Sequence, residues 1–152
     1  MNTAAAINAY SNVSLESRVI GADPHQLISL LFEGALLEIS NAKNSMLRKE
    51  IAAKGKSISK AISIIGEGLN ASLDKKVGGK LALDLSALYD YMVMRLVEAN
   101  LNDNVDNLDE VARLLVELKG AWDAIRPQVV GTGTTTAQAY TPGNPSRTYA
   151  SA

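Results

Sequence analysis

Cysteine is absent from the 152 residues. That excludes a disulfide framework and a thiolate metal site, and it fits a reducing compartment. Histidine occurs once, as His25. A di-iron helical bundle needs Glu-x-x-His on two helices, and a Ser-His-Asp arrangement needs a base beside a nucleophile; His25 has no motif around it and is expected to have a surface or capping role. Aromatic residues make up 5%, so the core must be built from Leu, Ile, Val, Ala and Met. The net charge is −1, which gives no basic surface to attract nucleic acid or anionic lipid. No run approaches the roughly 18 uninterrupted apolar residues of a membrane span. The start, Met1 to Ile7, has neither the basic nor the long apolar region of a signal peptide. The expectation is a cytosolic protein with no cofactor, no metal and no membrane insertion.

What is present is ordinary globular material, 47% hydrophobic and 20% charged, enough for one domain with a sizeable core. Residues 1–20 read as an arm with scattered apolar anchors, part of it a short helix. Within it Ile7 and Tyr10 are spaced by three and would share one helical face. Residues 127–152 carry Pro127, Pro142 and Pro145 among Gly, Thr, Ser and Ala. Such a composition buries too little surface to offset chain entropy and predicts a disordered tail.

Residues 21–126 read as an all-α domain, an antiparallel four-helix bundle. Asp23-Pro24-His25-Gln26 has the capping residue, the first-position proline and the capping-box partner of a helix start. Leu27, Ile28, Leu31, Phe32, Ala35, Ile39 and Ala42 then form a wide apolar stripe. A second helix over about 50–72 places Ile51, Ile58, Ile62, Ile65 and Leu69 on one side, with Gly66 and Gly68 allowing close approach or a bend. Gly78-Gly79 mark a turn; with no earlier glycine, no following Ser or Thr and no preceding strand, they do not make a phosphate loop. The third helix, about 80–102, has Leu81, Leu85, Leu88, Met92, Leu96 and Ala99 as its main stripe. The fourth begins near Asp106 or Asn107 and follows a three-four seam through Leu108, Val111, Leu115, Leu118, Trp122 and Ile125, with Trp122 expected in the core. No run alternates at period two, so no sheet is expected.

Three helices carry more apolar surface than one core uses. Leu30 and Leu37 lie off the first stripe with Gly34 between them. Ile64 lies off the second, beside Ala61, Gly68 and Ala71. Leu83, Ala87, Met94, Val97 and Leu101 give the third helix a second apolar side, leaving only Asp84, Tyr91, Arg95 and Glu98 as its polar sector. A central helix touching two neighbours would explain some of this. Together the surplus calls for a partner, a covering arm or another subunit, with small residues shaping grooves for an amphipathic helix.

The order of these segments resembles the FliS family of flagellin-export chaperones. The resemblance rests on Tyr10 followed by Ala22-Asp23-Pro24-His25-Gln26-Leu27-Ile28 and on Leu31-Phe32-Glu33-Gly34-Ala35. It continues through Ser72-Leu73-Asp74, Gly78-Gly79, Leu88-Tyr89-Asp90-Tyr91-Met92, Ala99-Asn100-Leu101, Glu110-Val111 and the stretch from Leu118 to Trp122, covering about residues 7–126. Asp23 stands where Ser is usual, and Phe32 where Tyr is common. The resemblance implies a helical bundle without enzymatic activity. It also implies binding of the C-terminal segment of new flagellin in the cytoplasm, prevention of premature polymerisation, and delivery to the flagellar type III export gate. Leu30, Leu37, Ile64, Leu83, Met94, Val97 and Leu101 are then the expected flagellin contacts. For Ile7 and Tyr10 the resemblance implies covering the empty groove and docking on the export gate, FlhA. The alternative is a self-associating structural bundle with no flagellin client, its surplus surface closing a permanent homodimer; a weak homodimer is separately among the expected partners.

Overall fold

A computed structural model of the chain describes residues 21–125. The expected arm with Ile7 and Tyr10, and the expected tail, lie outside the described residues. Four helices follow one another: α1 (Pro24–Leu47), α2 (Ile51–Ser63, continuing as a π-helix over Ile64–Asn70), α3 (Lys75–Asn102) and α4 (Val105–Ala124). No strand occurs among the described residues. The chain divides into two units between Lys119 and Gly120. The bundle described below is that of the first unit. Gly120–Ile125 is the described part of the second, and within it Trp122, expected in the core, is half-buried.

Local chemistry sets the helix ends. The Asp23 carboxylate accepts from the Gln26 N–H at 2.8 Å, and Pro24 opens α1, satisfying one of the orphan donors of the first turn. The second helix was expected to run to about residue 72, with the turn at Gly78-Gly79, but Asp74 already belongs to the next helix. It caps α3, accepting from the N–H groups of Lys76 and Val77 at 3.1 Å each. The turn therefore falls at 71–74, and Gly78-Gly79 lies inside α3 as a kink. Asp103 closes α3 in the left-handed conformation, φ 52°. The Asn104 N–H then returns to the Ala99 carbonyl at 3.1 Å, as in a Schellman stop, while the Asn104 side chain accepts from the Asn107 N–H at the start of α4.

Contacts across the helices show the antiparallel order. Lys54, early in α2, donates to the Asn100 carbonyl and to Asp103 at the end of α3. Asn70, at the end of α2, accepts from Ser86 and donates to Asp90, in the middle of α3. Lys43 on α1 pairs with Asp109 on α4 at 2.8 Å. The centre is aliphatic: Ile58, Ile65, Leu69, Met92, Leu96, Leu108, Val111 and Leu115 are all essentially fully buried. Each such side chain contributes about 1.5–3 kcal/mol relative to exposure.

Several stripe positions depart from expectation. Ile51 in the first turn of α2 is 75% exposed, and Leu81 just beyond the kink is 68% exposed. Both stand at the margin of the packed region, where periodicity continues but burial does not; Ile51 lines an open groove with Met46, Leu47 and Val105. His25, expected to have a surface or capping role, is buried in the first turn of α1.

The kink has a steric cause. Gly79 has φ 54° and ψ −130°, a backbone that side chains oppose. A Cβ on Gly78 would come within 2.7 Å of the Ala82 Cβ. Gly79→Ala is therefore expected to cost about 1–3 kcal/mol, read as a lower urea midpoint. An unchanged midpoint would mean that the bend is not held by the fold.

Candidate functional site

The largest feature left uncovered is the outer side of α3. Leu83, Ala87, Met94, Val97 and Leu101 recur at helical spacing along one line, opposite the buried row of Met92, Leu96 and Ala99. Leu83 is 57%, Met94 52%, Val97 43% and Leu101 76% exposed. The second apolar side expected from the sequence is thus an exposed row on one helix, interrupted by the exposed Asp90 between Ala87 and Met94, and not a second core.

Polar contacts border the row on both sides. Toward α2, Ser86 Oγ donates to Asn70 Oδ1 at 2.8 Å, and Asn70 Nδ2 donates to Asp90 Oδ1 at 3.2 Å. Beside this chain runs a groove of about 440 Å³ whose lining includes Ser59, Ile62, Ser63, Gly66 and Val93. Ile62, expected in the core stripe, is half-buried here. Gly66 was expected to allow close approach or a bend, whereas Ser59 and Ser63 were not singled out by sequence. Their signal is a run of small residues at spacings of four and three along one outward line.

Toward α4 stands a clamp centred on Glu110. Tyr91 donates its hydroxyl to Glu110 Oε2 at 2.6 Å, and Arg95 Nε donates to Oε1 at 2.7 Å. Arg95 also reaches Glu98 at 3.0 Å, and its guanidinium lies 5.9 Å from the Tyr91 ring centroid, within cation–π range. Asn107 donates to the Arg95 carbonyl, fixing the start of α4 to the same turn. The hydrogen bond from Tyr91, then that from Arg95, holds the Glu110 carboxyl below its usual range. The bond to Glu110 raises the Tyr91 phenol above its own.

A lowered carboxyl stabilises the fold at pH values above its unfolded value, and the contribution is lost as pH falls through the folded value. Acid titration of the melting temperature should therefore show wild type and Glu110→Gln separated at neutral pH and converging below about pH 4. A separation that persists unchanged at lower pH would contradict this.

The remaining expected contacts sit elsewhere. Leu37 on α1 is 55% exposed. Gly34 and Ile64 meet between α1 and α2, a Cβ on Gly34 lying 3.4 Å from Ile64 Cδ1, and Ile64 is half-buried. Leu30 is 5% exposed and belongs to the core. It stands two residues from Phe32, so α1 is buried on two sides rather than along one stripe. Leu37 on α1 and Ile64 on α2 thus lie on other helices than the α3 row.

Among the described residues no group of three or more His, Cys, Asp or Glu could hold a metal ion, and no helix is long and apolar enough to cross a membrane.

The family model described as flagellar protein FliS matches residues 6–129. The chain belongs to the FliS family. This FliS-family chain is 46% identical over 128 residues to the flagellar secretion chaperone FliS of Salmonella typhimurium, covering 84% of this chain and 95% of that one. It is 48% identical over 120 residues to the flagellar secretion chaperone FliSB of Pseudomonas aeruginosa, covering 79% and 94%. With the flagellar secretion chaperone FliS of Bacillus subtilis it shares 32% over 107 residues, covering 70% and 78%. FliS proteins are chaperones, not enzymes, in keeping with a surface built from apolar rows and polar borders.

Proposed function

We propose that this FliS-family chain works in the cytoplasm, binds the C-terminal segment of flagellin, keeps it from polymerising and delivers it to the flagellar type III export apparatus. The observation that carries the reading is the exposed row Leu83, Met94, Val97 and Leu101 on α3. A flagellin terminus that later packs into a filament is apolar beforehand, and a rigid apolar row with polar borders can mask it as an amphipathic helix in a groove. Ordering the segment consumes part of the gross interaction energy, so the fixed partner must be the chaperone. Leu37 and Ile64 extend the proposed contact on the α1–α2 side; Leu30, being buried, does not take part.

Co-purification tests this directly. Full-length flagellin should be retained, and flagellin lacking its C-terminal segment should not. Retention of both would overturn the assignment of the segment. A tight permanent dimer in light scattering, with no affinity for flagellin, would favour the self-associating alternative.

Ile7 and Tyr10 are proposed to cover the empty groove and then to dock on the export gate, FlhA. A competing cover lowers apparent affinity by the fraction of time it is closed. Deleting residues 1–15 should tighten flagellin binding, or leave it unchanged, while lowering secretion in cells. Weaker binding with normal secretion would place the arm in the flagellin site instead.

A further inference from the structure

Tyr91 falls in the polar sector of α3 by sequence, but its geometry is that of a contact residue. It stands at the edge of the exposed row, four residues from Ala87 and three from Met94, and is itself 36% exposed. Its hydroxyl is tied to Glu110 at 2.6 Å. Glu110 is in turn held by Arg95 at 2.7 Å, and the Arg95 guanidinium lies 5.9 Å from the ring centroid. An exposed tyrosine normally samples several rotamers, and ordering such a side chain at an interface costs free energy. Here that ordering is done in the free protein by two residues from two helices. The ring is therefore a rigid, amphipathic plate: its polar end is satisfied inside the chain, and its apolar part stands next to Met94. Tyrosine is over-represented among residues that dominate interface energetics, chiefly where a polar border keeps water from an apolar centre.

We propose that Tyr91 is a principal contact for the client segment, receiving an aliphatic side chain of that segment against its ring, and that Glu110 and Arg95 are positioning residues that fix the ring in advance. This rests on the reading of the α3 row as the client surface. It adds that the site has an aromatic anchor at its α4 border, which the sequence pattern alone had assigned to solvent.

The test uses the full chain and a peptide of the flagellin C-terminal segment, followed by isothermal titration. Tyr91→Ala should weaken binding by about tenfold or more with far-UV helicity unchanged. Tyr91→Phe, which keeps the ring and loses the tether, should weaken it only a few-fold. Glu110→Ala should resemble Tyr91→Phe, and Glu110→Gln should restore most of the loss, because its amide oxygen can still accept from the hydroxyl. A merely structural salt bridge would show no such rescue. In wild type labelled with 3-fluorotyrosine, the resonance that vanishes in Tyr91→Phe should shift on adding the peptide, and this holds the proposal to account even if Tyr91→Ala fails to fold. Wild-type affinity in Tyr91→Ala, or a resonance that does not move, overturns the proposal. If Met94→Asp abolishes binding in the same series, the client surface stands and only the anchor falls. If Met94→Asp also binds normally, the reading of the row itself falls.

Discussion

Aspartate at both Met94 and Leu101 should reduce affinity for the flagellin C-terminal segment by about 100-fold or more, with little change in stability. Both side chains are more than half exposed in the free chain, Met94 at 52% and Leu101 at 76%. In solution a carboxylate there meets water, and surface changes away from the core are usually within about 0.5 kcal/mol. Under a bound apolar segment the same carboxylate is desolvated with no cation to meet it, which costs far more. The contrast between the two measurements is the content of the prediction. Titration calorimetry and urea unfolding on the same sample supply them. Loss of stability equal to the loss of binding would mean that these residues belong to the core after all. Normal binding would move the client site elsewhere.

Asp103→Ala should cost about 3–4 kcal/mol in unfolding free energy, whereas Lys54→Met should change it by no more than about 1 kcal/mol. The asymmetry follows from where the two charges sit. The Lys54 side chain is 7% exposed and that of Asp103 67%. Removing Asp103 leaves a largely buried ammonium with the Asn100 carbonyl, 3.0 Å away, as its remaining partner among the described residues, at the wall of the groove that Lys54 and Asp103 line. Removing the Lys54 charge leaves Asp103 in water, where it needs no partner. A second contribution is local: at φ 52° an alanine costs about 1 kcal/mol that a glycine does not. Asp103→Gly should therefore be about 1 kcal/mol milder than Asp103→Ala. If Lys54→Met proves the more damaging of the two, the ion pair contributes net stability rather than compensating for a buried charge.

Most of the helical architecture is legible in the sequence because it is periodic. The buried faces through Phe32, Ala35 and Ile39, through Ile58, Ile65 and Leu69, and through Leu108, Val111 and Leu115 all appear as three-four spacing, and the Asp23 cap appears as residue type. The exposed row on α3 is legible for the same reason, as a second stripe that none of the described helices covers. Other features fail for identifiable reasons. Periodicity cannot tell where packing stops, so Ile51 and Leu81 look like core and stand at its margin. It cannot tell that α1 has two buried sides, so Leu30 looks like surface. A Gly-Gly pair reads as the end of a turn, but here Gly79 bends a helix that Asp74 has already started. The Tyr91–Arg95–Glu110 clamp joins side chains 15 and 19 residues apart in sequence, a pairing that depends on how α4 lies against α3 and that no local pattern encodes.

The two apolar rows of α3 give one helix two independent texts. Met92, Leu96 and Ala99 specify the fold, and Met94, Val97 and Leu101 face away from it. Substitutions that share no contacts have nearly additive effects. Sequence change in the outer row can therefore accumulate without threatening the inner one, and, on the proposal that this row holds the client, a lineage whose client drifts can follow it by rewriting the outer positions alone. The same separation suits retargeting: a library confined to the outer row should yield mostly folded proteins with altered cargo preference, whereas an equally large library in the inner row should yield mostly unfolded ones.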